Sequence, residues 1–256
     1  MAKHRQPTVV PMDGAQRALA DGLSAAHAPD AYGLTLLDLT EAEKFRAARA
    51  AQTGVPLTLF DLVLRATALT LGRDERGRTL LQGYDFHRYE TIDIGVSIAS
   101  RSEVAPVILF RDAAQISLEE FHHQRVEKTR VALEEQADKR AQLLRQTRFL
   151  PDKIRRALIH KVMNRAQTRH DMVGTIQVSA VELDNLEWFL PAHMATSFLL
   201  CLGGIRERPL VHEGRVEARL SVYASLMIDQ RVIHPVQGMR VVQRWRHAML
   251  KPEKLG

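Results

Sequence analysis

The stretch from Leu220 to Gly238, L-S-V-Y-A-S-L-M-I-D-Q-R-V-I-H-P-V-Q-G, constrains the fold more than any other part of the chain. It starts as an apolar strand, running through Leu226, Met227 and Ile228. The polar trio Asp229-Gln230-Arg231 breaks the strand into a turn, and a last helix then runs towards Trp245. Sheet and helix thus meet at three polar side chains.

At 256 residues, 45% of them apolar, the chain is long enough to bury a substantial core as one large domain or two small ones. No run of 18 apolar residues is present, so no transmembrane helix and no membrane partner are expected. The start, Met1 to Pro7, lacks the apolar core of a signal peptide. The single cysteine, Cys201, lies in the apolar run Phe198-Leu199-Leu200-Cys201-Leu202 and reads as a buried, inert thiol. One cysteine excludes a disulfide framework, and a cytoplasmic location is expected.

The net charge of +6 is concentrated. Gln124 to His170 carries 13 Lys/Arg against 5 Asp/Glu, so the remainder is close to neutral. Such a block suggests an anionic partner, a phosphate-bearing molecule or an acidic protein surface; the plainer alternative is a solvated helical face. No recognition motif or interleaved aromatics accompany it, which argues against nucleic acid.

Residues 1–11 are expected to be a flexible arm, and residues 12–256 a single domain with an insertion over about 124–170. Asp13 is placed to cap a helix to about His27, followed by a strand from Tyr32 to Leu39. Thr40 and Glu43 have the spacing of a capping box for a helix to Gln52, which Gly54 ends. Leu57 to Leu71 is apolar nearly all round and predicts a buried helix. Thr91–Ala99 and Val104–Ile108 read as two strands. The insertion predicts one or two extra helices, with Pro151 at a first helical position. Further strands are expected at His193–Gly204 and Val216–Ile228, with a hairpin turn at Glu213-Gly214.

Over about residues 11 to 250 this order resembles the acyltransferase core domain of 2-oxoacid dehydrogenase complexes, whose fold is shared with chloramphenicol acetyltransferase. The likeness rests on Thr58–Val63 at the buried helix, Ile94-Gly95-Val96 and Val104-Ala105-Pro106-Val107-Ile108 at the hairpin, and Arg111-Asp112-Ala113 with Ser117. It continues through Gly174-Thr175-Ile176-Gln177-Val178-Ser179 and Gly203 to Pro209. The family's D-H-R-x-x-D-G motif falls on Asp229 to Pro235, where its histidine is Gln230, its later aspartate His234 and its glycine Pro235.

The resemblance implies an α/β fold with a mixed sheet flanked by helices, a homo-trimer with active-site channels between subunits, and acyl transfer from a thioester. It gives Ser179 the role of oxyanion donor, worth about 3 kcal/mol when aimed correctly; the plainer reading is a serine bonded to its own sheet. The family's general base is the histidine that Gln230 replaces. An amide does not titrate near neutral pH, and losing a positioned base costs roughly 10²- to 10⁴-fold in rate. An already acidic acceptor, such as an enol of a natural-product pathway, tolerates that loss. His234 is the candidate replacement base, and Asp229 with Arg231 a structural ion pair. Coenzyme A is the expected co-substrate, with Arg17, Arg155, Arg156 and Lys161 as candidate phosphate ligands. Eleven residues before the core leave no room for a lipoyl module, so free coenzyme A thioester, a carrier protein or a lipoyl domain in trans is expected as donor. A small molecule is expected as acceptor. The alternative is a catalytically silent trimeric scaffold or regulatory subunit.

Overall fold

The computed structural model describes residues 7–14, 16, 30–98, 105–147, 151, 153–154, 157, 161, 164–180, 186–190 and 196–256. In chain order these form β1 (Thr8–Pro11), β2 (Asp30–Asp38), α1 (Thr40–Thr53), α2 (Leu59–Leu71), β3 (Thr79–Gln82), β4 (Asp85–Arg88), β5 (Ile94–Ser97) and β6 (Val107–Phe110). There follow α3 (Leu118–Thr147), α4 (Ala166–Val173), β7 (Ile176–Ala180), β8 (Phe198–Leu202), β9 (Arg206–His212), β10 (Arg215–Asp229) and α5 (Pro235–Leu250). Among the described residues, no helix is long and apolar enough to cross a membrane.

The main sheet runs β2-β10-β8-β7-β5-β6, and β9 pairs with the first half of β10. It is mixed: β7 lies parallel to β5 and to β8, while β10 is antiparallel to β2, β8 and β9. β10 holds this arrangement together because its 15 residues span two pairing zones. The first, Arg215 to Ser221, is zipped to β9 through the Glu213-Gly214 turn, where φ is +50° and +79°. The second, Ser221 to Asp229, lies between β2 and β8.

Side chains alternate across β10, as the pleat requires. Val222, Ala224, Leu226 and Ile228 enter the main core, together with Ile176 and Val178 of β7 and Phe198, Leu200 and Leu202 of β8. Over that face lie α2, whose Leu62, Val63, Leu64, Ala66 and Ala68 are buried, and α5, which contributes Trp245 and Met249. On the opposite face, Met227 packs with Leu199, Cys201 and Phe189. Next to them Tyr32 and Leu34 remain about half exposed.

Two local expectations change. Thr8–Pro11, read as part of an arm, is a strand that pairs with β4 in a small sheet ordered β1-β4-β3. Its Val10, with Met12, Leu81, Phe86 and Val232, makes an apolar cluster against the end of β10, which explains why it is ordered. The Thr40–Glu43 capping box does not form: Asp38 Oδ1 takes the Thr40 N–H at 2.9 Å, and Glu43 pairs with Arg46 instead. The box forms one helix later, where Thr58 and Asp61 cap each other at the start of α2. The helix expected from Asp13 to His27 lies largely outside the described residues, as do most of residues 148–163.

Candidate active site

β10 ends in a turn that its last residue locks. Asp229 is buried, its N–H donates to Ser197 O (3.1 Å), and its carbonyl accepts from Val232 and Ile233 N–H (3.0 and 3.1 Å). Arg231 forks onto its carboxylate, Nε to Oδ1 at 2.9 Å and Nη2 to Oδ2 at 2.8 Å, while the Arg231 N–H also donates to Oδ1. A bidentate pair of this kind fixes direction as well as distance. The carboxylate raises the Arg231 guanidinium above its ordinary value, against the effect of burial. Gln230, between the two, is half-buried, and its amide has no hydrogen bond to any described residue.

His234 caps α5. Its Nδ1 accepts the Val236 N–H at 3.3 Å, with Pro235 at the first helical position. In the neutral ring that accepts at Nδ1, the proton sits on Nε2. While the cap is closed, His234 therefore presents a donor to its exposed side, and acting as a base requires the cap to open.

Ser179 lies at the other end of the sheet. It sits in β7 level with Ser97 of β5 and Cys201 of β8, and Cys201 is level with Ser225 of β10. The Ser179 hydroxyl is half-buried and bonds to no described residue, so the sheet has not consumed it. Its neighbour Cys201 is inert, with its thiol pushed up to about 12 by burial. Gln230 is five positions along β10 from Ser225. At about 3.4 Å per residue that is about 17 Å along the strand, and two strand spacings across give a separation of roughly 19 Å. Within one chain the two do not meet.

One residue beyond Ser179, on the helix side of the sheet at the C-terminal ends of β5, β7 and β8, opens a cavity of about 680 Å³ between the sheet, α1, α3 and the start of α2, and Ser179 itself faces the other side with Cys201. Ser97, Ala180 and Gly203 form its sheet wall, and Thr58, Arg46 and Arg125 face them from the helices. Arg46 is braced by Glu43 and donates to Leu57 O at 2.8 Å. Arg125 is held by Asp61, Nε to Oδ1 at 2.6 Å, and reaches Thr58 Oγ1 at 3.2 Å. Asp61 is fully buried and also lies 2.9 Å from His122 Nδ1. Burial pushes its carboxyl up, but Arg125, His122 and the Thr58 N–H outweigh that and hold it below the usual range. The cavity thus has an apolar floor and two fixed cations in its wall, features suited to an elongated molecule with an anionic end.

Arg17, Arg155 and Arg156, the expected phosphate ligands, lie outside the described residues, and Lys161 is exposed and not part of this wall. The cations that do line it, Arg46 and Arg125, were not singled out by the sequence. The Thr58-x-x-Asp61 box was the available signal: a fully buried capping aspartate needs a cation to pair with.

The sequence matches the family described as 2-oxoacid dehydrogenases acyltransferase (catalytic domain) over residues 4–143 and 151–256. No curated protein matches the chain. Among solved structures, the dihydrolipoamide acetyltransferase of Azotobacter vinelandii is similar at TM-score 0.68 and 20% identity, covering 99% of this chain and 96% of that one. A probable dihydrolipoamide acetyltransferase of Listeria monocytogenes gives TM-score 0.65 at 18% identity, with 94% of each chain covered. Chloramphenicol acetyltransferase gives 0.54 at 13% identity, with 94% and 98% covered. These likenesses show the fold, a chloramphenicol acetyltransferase-like mixed sheet flanked by helices, as the motifs implied. With a match running the length of the sequence, the chain belongs to the 2-oxoacid dehydrogenase acyltransferase family, as one of its catalytic domains.

Proposed function

We propose that this protein moves an acyl group from a coenzyme A or carrier thioester to a small-molecule acceptor, at a site assembled between copies of the chain. The observation that carries this reading is the pair of unspent polar groups at opposite ends of one sheet. Ser179 ends β7 next to Ala180, which lines the cavity with Arg46 and Arg125, and Gln230 stands on a rigid turn roughly 19 Å away. A second copy is needed to bring them together. Tyr32 and Leu34, exposed on the same sheet face as Ser179, give that copy an apolar surface to cover. A homo-trimer satisfies this with three equivalent sites.

In the Azotobacter enzyme a serine, a histidine and an asparagine have been studied for their role in the catalytic mechanism, the first two 52 positions apart and the third four further on. Ser179, Gln230 and His234 follow nearly the same spacing, 51 and four. In the proposed reaction the thioester passes the C-terminal end of β7, with its anionic end in the cavity toward Arg46 and Arg125 and its acyl carbonyl on the sheet face that Ser179 shares with Tyr32 and Leu34. The Ser179 hydroxyl donates to the developing oxyanion, and the Gln230 amide donates to or orients the attacking group. No protein group in this scheme takes the proton, so the acceptor is one that ionises readily, as an enol or thiol does.

The test is release of free thiol from acetyl-coenzyme A with a panel of enol and thiol acceptors. The native protein is expected to release thiol, and Ser179→Ala to lose about 10²- to 10³-fold. Gln230→His is expected to extend activity to ordinary alcohols. Silence in the native protein, with activity appearing only in Gln230→His, would instead establish the silent scaffold that the glutamine also suggests.

A further inference from the structure

Behind the Gln230 turn lies another cavity, of about 450 Å³, which shares no lining residue with the one beside Ser179. Four arginines border it from separate parts of the fold. Arg73 follows α2, Arg76 is in the single helical turn Glu75–Arg78, Arg88 ends β4, and Arg244 is on α5. The wall holds two carboxylates, Asp74 and Glu75. Asp74 takes Arg244 at 3.2 Å and Arg76 at 3.7 Å, and Glu75 takes Arg88 at 3.2 Å. Arg73 is exposed and has no partner among the described residues.

Among the described residues, two positive charges therefore remain unmatched around a concave space. The negative end of the α2 dipole accounts for a cation at Arg73, but not for arginines arriving from β4 and α5. The ion pairs present are partly exposed, and such pairs are worth little in water, so these guanidinium groups can turn to a stronger anion at small cost. Their planar forks match a phosphate, and the volume lies in the range of small-ligand clefts.

We propose that this cavity binds a phosphate-bearing small molecule. The proposal is independent of acyl transfer at Ser179. The site abuts the motif turn: Val232 lines it, and the Val232 N–H closes the turn on Asp229 O at 3.0 Å.

The experiment is calorimetric titration of the full chain with inorganic pyrophosphate at fixed ionic strength. The native protein is expected to bind, and Arg73→Gln/Arg244→Gln to bind at least about tenfold more weakly, as expected for lost charge-assisted bonds. Arg73→Gln alone is expected to weaken binding at least about threefold and to leave folding intact, because Arg73 is exposed and has no partner to lose among the described residues. A parallel titration with coenzyme A separates the two sources of the phosphate: a matching loss in the double variant identifies the thioester's own nucleotide, and an unchanged affinity identifies a different ligand. No binding of pyrophosphate at millimolar concentration, or binding unaffected by the arginine substitutions, overturns the proposal.

Discussion

Asp61 has no contact with solvent, yet four groups converge on it: the Thr58 N–H and hydroxyl at 2.8 Å each, Arg125 at 2.6 Å and His122 at 2.9 Å. Removing the carboxylate strands Arg125 and uncaps α2 together. Asp61→Ala is expected to cost about 3–5 kcal/mol, read from urea unfolding, because breaking a buried pair leaves a charge uncompensated. Asp93 has a similar setting, with Arg111 at 2.7 Å, His170 at 2.9 Å and the Asp112 N–H at 2.8 Å. Burial raises its carboxyl, but these partners outweigh burial and lower it. Both groups are more acidic folded than unfolded. Their stabilisation is complete above the unfolded value of about 4 and is lost as pH falls through the lower folded values. Native stability should therefore fall steeply below about pH 4, and Asp61→Ala should fall less steeply. Parallel curves would refute that assignment.

At the scale of elements, the entry to β7 depends on Gly174. It has φ +77° and ψ −160°, and a Cβ there would sit 2.4 Å from Asp93 O. Asp93 O in turn accepts the Thr175 and Ile176 N–H groups, which starts β7 beside β5. Gly174→Ala is expected to destabilise by at least about 1–3 kcal/mol and to lower activity by moving Ser179. Unchanged stability would show that the backbone relaxes there. The elements that were legible in sequence carry local, self-contained signals: the Glu213-Gly214 hairpin, the all-round apolar α2, and the strand that stops at Asp229. Those missed depend on distant partners. β1 is four residues long and exists because β4 and Val232 pack against it. β3 and β4 are equally short and have no clear alternation. Thr40 spells a capping box, but Asp38 reaches the same N–H first. The motif turn and Ser179 were visible through the family pattern. The cations of the cavity were not, because Arg46 and Arg125 come from helices that meet only after folding.

For the whole molecule, the separation of the two candidate groups matters most. The register of four strands puts Ser179 level with Ser225 and Gln230 five positions beyond it, so no side-chain rotation in one chain closes roughly 19 Å. Catalysis by both groups therefore requires assembly, and the half-exposed Tyr32 and Leu34 are the surface proposed for that contact. The most direct measurement mixes Ser179→Cys protein with Gln230→Cys protein and adds a bis-maleimide too short for the within-chain gap; the native Cys201 is buried and unreactive. Covalent dimers in the mixture, absent when either variant is treated alone, are predicted. A mixture that stays uncoupled, or a protein that sediments as a monomer, would contradict a site shared between copies.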